Sequence, residues 1–367
     1  MKIILEQTSI AKLLSHIQGI VERRNTIPIL SNVLMRAENN TLYLTATDMD
    51  IEIIDSIDAE VIEAGSTTVP AHTLYDIVRK MEGGSDIQIE QNDEVTVSIS
   101  SGRSKFKLGC LPSEDFPIMS DENSTFNFTI TAEELIDIID KTKFAISTEE
   151  TRYYLNGIFF HEKEGNLVSV STDGHRLAKL SMPAPEGSKG MPGVIIPRKA
   201  VLEIRKLSEE FDGDVNIKLS ENKIIFSADT VKFTSKLIDG TFPDYEKVIP
   251  SGNTKALTLN PKEFAIAVDR VSTVATDKTS AVSLKISRGN VNISVNAPDC
   301  GSANDEISAT YEDEALDIGF NSRYLIEVAS QIEGPECTML LSDSASPALI
   351  KDLDDENVIY VLMPMRT

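Results

Sequence analysis

In the stretch ITAEELIDIIDKTKFAIS, apolar residues fall at Leu135, Ile138 and Ile139, with Thr142 as a weaker fourth member. That is the i, i+3, i+4, i+7 spacing of an amphipathic helix. Thr131 and Glu134 precede it at capping-box spacing. The same pattern recurs earlier at Ile10, Leu13, Leu14 and Ile17, and later at Phe264, Ala267, Val268 and Val271. The later copy opens with Asn260 as cap, Pro261 in the first turn and Glu263. The earlier copy has Glu6 at the cap, a poorer stop for free amides.

Each helix is followed by runs that alternate apolar and polar residues, the signature of half-buried strands. LYLTATD (42–48) matches LVSVSTD (167–173), and VNISVNAPD (291–299) is a degenerate third version. A second helix is predicted from Pro70, Pro197 and Asn321, with Leu74, Val201 and Leu325 matching, as do Ile77, Ile204 and Val328. The units close on VTVSISS then SKFKLGC, on KIIFSA then VKFTSKL, and on TMLLSD then VIYVLMP. Phe-Pro ends two of them, at Phe116-Pro117 and Phe242-Pro243. The chain of 367 residues therefore reads as three similar domains, 1–125, 126–250 and 251–367. Each is an α+β layer of two helices on a strand-rich sheet.

Charge changes the picture. The net value is −23, so most of the surface should repel nucleic acid and anionic membranes. Cys110, Cys300 and Cys337 form no CxxC pair and fit reduced thiols in a reducing compartment. The start MKIILEQTSI lacks the long apolar core of a signal peptide, and no run approaches membrane length, so a cytoplasmic protein is expected. The four histidines are scattered, and no P-loop, GxGxxG or HExxH occurs, so neither a metal nor a cofactor is expected.

STDGHRLA (171–178) looks most like chemistry, with Ser171, Asp173 and His175 on alternate positions. A triad fits it poorly. Same-face strand neighbours stand ~6–7 Å apart, and no G-x-S-x-G elbow is present. The Thr-Asp pair also recurs as Thr47-Asp48, followed by Met49 and Asp50 where Gly174 and His175 follow the other. Turn chemistry is the favoured role. An acidic multidomain hydrolase using Asp173 and His175 stays as the alternative, with a repeat scaffold that binds no DNA as a third reading.

Triplication together with RYYLNGIFF (152–160), STDGHRLA, FPDYEKVIP (242–250) and YVLMPMR (360–366) resembles the bacterial DNA sliding clamps, the beta subunits of DNA polymerase III. The resemblance spans the whole chain. It implies a crescent of three domains that dimerises head to tail into a closed ring around duplex DNA, with sheets outside and helices lining the hole. Such a protein is a processivity factor and not an enzyme. Its implied partners are duplex DNA without sequence preference, a second copy, a clamp loader, replicative and other polymerases, mismatch-repair proteins and ligase, with no membrane.

The same resemblance implies site residues. A peptide groove would take a short motif of glutamine followed by apolar residues. One subsite would use Leu155, Thr172, Gly174, His175, Arg176, Leu177, Pro243, Val248, Val361 and Met363, with Lys247 where an arginine is common. A second would use Asn321, Tyr324, Pro364, Met365 and Arg366. Candidate DNA contacts are Arg24, Arg79, Lys80, Arg152, Tyr153, Tyr154, Arg198, Lys199 and Arg205. The dimer contact would set Phe106 and Leu108 against Thr273 and Val274 of the other copy.

Overall fold

A computed structural model of the chain describes residues 1–23, 26–120, 124–275, 281–297 and 300–366. The first repeat runs β1 (Lys2–Glu6), α1 (Gln7–Ile17), β2 (Asn32–Glu38), β3 (Thr41–Thr47), β4 (Ile51–Asp58), β5 (Glu60–Glu63), β6 (Gly65–Pro70), α2 (Ala71–Val78), β7 (Asp86–Asp93), β8 (Thr96–Ser101) and β9 (Ser104–Gly109). The second runs β10 (Phe126–Thr131), α3 (Ala132–Lys143), β11 (Gly157–Lys163), β12 (Asn166–Thr172), β13 (Arg176–Pro183), β14 (Val194–Pro197), α4 (Arg198–Ser208), β15 (Asp214–Leu219), β16 (Lys223–Ala228) and β17 (Val231–Lys236). The third runs β18 (Lys255–Leu259), α5 (Pro261–Ser272), β19 (Ala281–Ser287), β20 (Asn290–Ala297), β21 (Gly301–Ser308), β22 (Leu316–Asn321), α6 (Ser322–Ala329), β23 (Cys337–Leu341), β24 (Ala348–Asp352) and β25 (Val358–Leu362).

The helices begin where local chemistry starts them. Thr131 and Glu134 form the capping box before α3: the Thr131 amide donates to the Glu134 carboxylate at 2.8 Å, and the Glu134 amide to the Thr131 hydroxyl at 3.1 Å. Asn260 accepts from the amides of Lys262 and Glu263 at 3.0 Å each. Glu6 makes no such bond to α1. The residues picked out by helical spacing in the first helix of each repeat are buried in all three copies, Thr142 included. Among the described residues no helix is long and apolar enough to cross a membrane.

One strand escaped the sequence pattern. Between TMLLSD and VIYVLMP stands β24, which pairs with both. Its five residues, ALIKD, lie among polar segments that mask the strand signal.

Every repeat divides its strands between two antiparallel sheets. In one eight-stranded sheet, of order β10-β15-β16-β17-β4-β3-β2-β6, the last strand of the second repeat pairs with the third strand of the first repeat's hairpin set. A second sheet, of order β14-β11-β12-β13-β25-β24-β23-β18, repeats that rule between the second and third repeats. Two smaller sheets remain, β5-β1-β7-β8-β9 and β21-β20-β19-β22. Sheets run across repeat boundaries, and the described chain gathers into two compact units. One holds Met1–Ile136, Pro185–Gly187 and Lys199–Leu237; the other holds Asp137–Ala184, Ser188–Arg198 and Ile238–Thr367.

Candidate functional site

The Thr-Asp pair builds a turn and no catalytic group. The Thr172 hydroxyl donates to the Arg176 carbonyl at 2.6 Å and accepts the Gly174 amide at 3.0 Å. Asp173 Oδ1 accepts the amides of His175 and Arg176 at 2.9 and 3.0 Å, and its Oδ2 takes the Arg176 guanidinium at 3.1 Å. Ser171 is fully buried and donates to the Thr142 carbonyl at 2.5 Å. The carboxylate is spent on structure, and the serine faces a carbonyl instead of a base. That geometry removes the hydrolase reading of Asp173 and His175. The turn also brings residue 174 to φ +87°, where glycine carries no Cβ penalty.

Beside this turn lies a cavity of about 290 Å³. It gathers Leu155, Thr172, Gly174, Arg176, Leu177, Pro243, Val248, Val361 and Met363, all singled out by the resemblance, together with Arg152, Tyr154, Asp244 and Tyr245. Leu177 on β13 stands opposite Val361 on β25, so the floor is a cross-strand apolar pair. Both are 2% exposed and belong to a core cluster with Leu155, Val170, Phe242 and Tyr245. Val248 and Met363, by contrast, are 47% and 39% exposed and form open walls. The Met363 amide donates to the His175 carbonyl at 2.8 Å, which ties the tail to the turn.

A stacked base supports this floor. Phe159 lies between the rings of His161 and Phe242, at centroid distances of 4.5 and 4.7 Å. Burial lowers the His161 pKa to about 4 and raises that of Tyr245 to about 12, so both rings are neutral at pH 7. They meet through a 3.1 Å hydrogen bond between Nε2 and the phenol oxygen.

Arg176 links the cavity to α6. Its guanidinium lies 4.3 Å from the Tyr324 ring centroid and 5.3 Å from that of Phe144, and it pairs with Glu327. Met365 bridges to Gly319, its amide donating at 2.8 Å. Asn321 spends its side-chain oxygen on the α6 cap, accepting from the Arg323 amide. His175, Lys247 and Arg366 are exposed, Pro364 is half-buried, and Lys247 pairs with Asp244 at 2.9 Å.

The first and second repeats meet in a joint with the same backbone. Thr47 donates to the Ile51 carbonyl and accepts the Met49 amide; Asp48 accepts the amides of Asp50 and Ile51. The Lys236 amide donates to Asp50 at 2.8 Å, as Met363 does to His175. The side chains differ. Opposed Glu52 and Thr234 replace opposed Leu177 and Val361, and Lys236 replaces Met363. Glu52 is buried and accepts the Met119 amide at 2.8 Å. The cavity there is about 210 Å³ and includes Lys223 and Lys236.

Most of the basic candidates for DNA are tied locally. Arg79 pairs with Asp76, Lys199 with Asp48, and Arg205 with Glu209. Arg152 makes two bonds to Glu149, at 2.7 and 2.6 Å, and lines the groove with Tyr154. Lys80, Arg198 and Tyr153 are exposed, and Arg24 lies outside the described residues. At the free sheet edges, β9 carries Phe106, 39% exposed, and half-buried Leu108. Thr273 caps the end of α5 with Val274 beside it.

Residues 1–120, 129–244 and 246–366 match, in that order, the N-terminal, central and C-terminal domains of the DNA polymerase III beta subunit. The chain belongs to this family, the bacterial sliding clamps. It is 47% identical to the beta sliding clamp of Caulobacter vibrioides over 371 residues, with all of both chains covered. It is 35% identical to that of Escherichia coli K12, again over the full length of both. The sliding clamp of Bartonella birtlesii, solved bound to griselimycin, superposes with a TM-score of 0.98 at 52% identity, covering both chains completely. A Caulobacter crescentus clamp, solved with polyethylene glycol in a putative beta-motif tethering region, gives 0.97 at 48%, covering 100% of this chain and 99% of that one. Sliding clamps are processivity factors without catalysis of their own, in keeping with a Thr-Asp turn that does no chemistry.

Proposed function

We propose that two copies of this chain close into a ring around duplex DNA in the cytoplasm, and that the ring tethers polymerases and other replication proteins through the Leu177–Met363 groove. One observation carries the ring. Within the chain, β4 pairs with the last strand of the next repeat, β17, and β13 pairs with β25. The same rule demands a last strand for β21 and a third strand for β9, and these are the two strands of that rule that end their sheets without such a partner in the chain. A second copy supplies both. In that register Gly301 faces Lys107, with Phe106 and Leu108 beside Thr273 and Val274 at the C-terminal end of α5. The three domains of each chain would then follow the family boundaries, near 1–125, 126–250 and 251–367.

Retention would rest on topology. The net charge of −23 and the local pairing of Arg79, Lys199 and Arg205 leave little attraction for phosphates. Weak contacts to a uniform backbone keep the energy flat along the duplex, which permits sliding. Exposed Lys80, Arg198 and Tyr153 are the remaining contacts we assign to DNA. Opening the ring falls to a separate ATP-driven loader. The groove fits a peptide with an apolar anchor over Leu177 and Val361. Gly174 lets the peptide backbone approach, and Asn321, Tyr324, Met365 and Arg366 continue the track. Clamp loader, polymerases, mismatch-repair proteins and ligase are the partners such a motif would bring.

The test compares loaded protein on linear duplex and on duplex blocked at both ends. Rapid loss from the first and retention on the second is expected. Equal retention on both would refute the ring.

A further inference from the structure

His16 stands in the last turn of α1 with its ring between two carboxylates. Nδ1 is 2.7 Å from Asp55 Oδ2, and Nε2 is 3.2 Å from Glu210 Oε2. Asp55 lies on β4 of the first repeat, whereas Glu210 follows α4 in the second. The Nδ1 contact is a hydrogen bond, whereas Nε2 faces Glu210 at ion-pair distance. Two ionised carboxylates about one ring favour its imidazolium form, with N–H on both nitrogens.

The surroundings favour that cation. Asp55 is 2% exposed and already accepts the Ser56 amide at 2.7 Å and the Thr230 hydroxyl at 2.6 Å, so it is fixed in place. Lys12, one turn back on α1, reaches Glu210 at 3.1 Å and is the opposing charge. Tyr43 on β3, Asp58 on β4 and Asp229 in the β16–β17 turn line the adjoining cavity of about 610 Å³. Carboxylates outnumber the single lysine, and the C-terminal end of α1 adds its own negative potential.

We propose that His16 is a proton-operated latch between the first and second repeats, engaged when the ring is charged and released when it is neutral. Loss of one proton leaves a single N–H. It stays on Nδ1, against buried Asp55, and turns the Nε2 lone pair toward Glu210. Of the two ion pairs that tie Glu210 to α1, the Lys12 pair then remains. Burial by itself would lower the pKa of His16, but the attraction of Asp55 and Glu210 outweighs it and the net shift is upward from 6.5. A raised histidine contributes fully below its unfolded value and loses that contribution as pH climbs through the folded one. The latch is therefore closed below pH 6.5 and opens on the alkaline side of it.

The test uses the full-length protein with 13C-labelled histidine. The chain has four histidines, and His16→Gln identifies the resonance. The wild-type midpoint is expected above 6.5, and Glu210→Gln should lower it by about 1 unit. Amide exchange in residues 8–18 and 204–212, corrected for intrinsic rates, should quicken several-fold from about pH 6 to about pH 9 in the wild type. In Glu210→Gln it should stay flat. A midpoint at or below the ordinary value, or one unmoved by Glu210→Gln, overturns the latch. So does exchange with the same pH profile in both proteins. Glu210 is surface-accessible, so this variant reports even if His16→Gln folds poorly.

Discussion

Truncating the groove walls tests docking without touching the core. Val248 and Met363 are 47% and 39% exposed, and a bound apolar side chain would cover that remaining surface. Complete burial of a Val or Met side chain is worth about 2 kcal/mol, so these fractions correspond to about 0.9 and 0.8 kcal/mol. Alanine keeps the Cβ, which lowers the combined loss to about 1.4 kcal/mol, or roughly tenfold in affinity. The assay is fluorescence anisotropy with a labelled peptide of glutamine followed by leucines, titrated with wild type and with the Val248→Ala, Met363→Ala double variant. Melting temperature and native mass should match wild type, because neither residue is buried in the free protein. A change in affinity below about twofold, with the fold intact, would show that the peptide does not sit on these walls.

Two further outcomes follow from other parts of the molecule. Phe106→Glu with Leu108→Glu places charge on the open β9 edge and should leave a folded monomer in sedimentation; an undisturbed dimer would remove that edge from the interface. His161 titrates near 4 when folded against 6.5 unfolded, so stability should be complete above pH 6.5 and fall as pH drops toward 4, by on the order of 2 kcal/mol. Chemical denaturation across that range should show the fall in wild type and a flatter profile in His161→Phe; equal slopes would disprove burial as the cause.

Much of the fold was legible because it is written locally and three times. Helical spacing with Thr131, Glu134 and Asn260 marked α3 and α5, and alternation marked the hairpins. The recurrence of Thr-Asp exposed the turn, since a motif shared by two repeats serves their common backbone. Strand β24 escaped because five residues among acidic and serine-rich segments carry too little alternation. The groove was harder. Leu155, Leu177, Val361 and Met363 come from distant segments, and a buried apolar residue looks alike whether it floors a cavity or fills a core. Only the family resemblance singled these residues out. Arg152 and Tyr154 read as a basic-aromatic cluster for nucleic acid, yet their short helical turn aims them at the groove. Glu149, three residues ahead, was the available hint that Arg152 already had a partner. Tyr245 sat within FPDYEKVIP, but nothing in that string marks a phenol held beneath the pocket.

The two internal joints share one scaffold of turns and main-chain bonds, and they part company at Glu52, Thr234 and Lys236 against Leu177, Val361 and Met363. Socket number per molecule is thus a matter of decoration, not architecture. If the Leu177–Met363 cavity is the docking groove proposed above, a second one would begin from these three positions on a frame already standing.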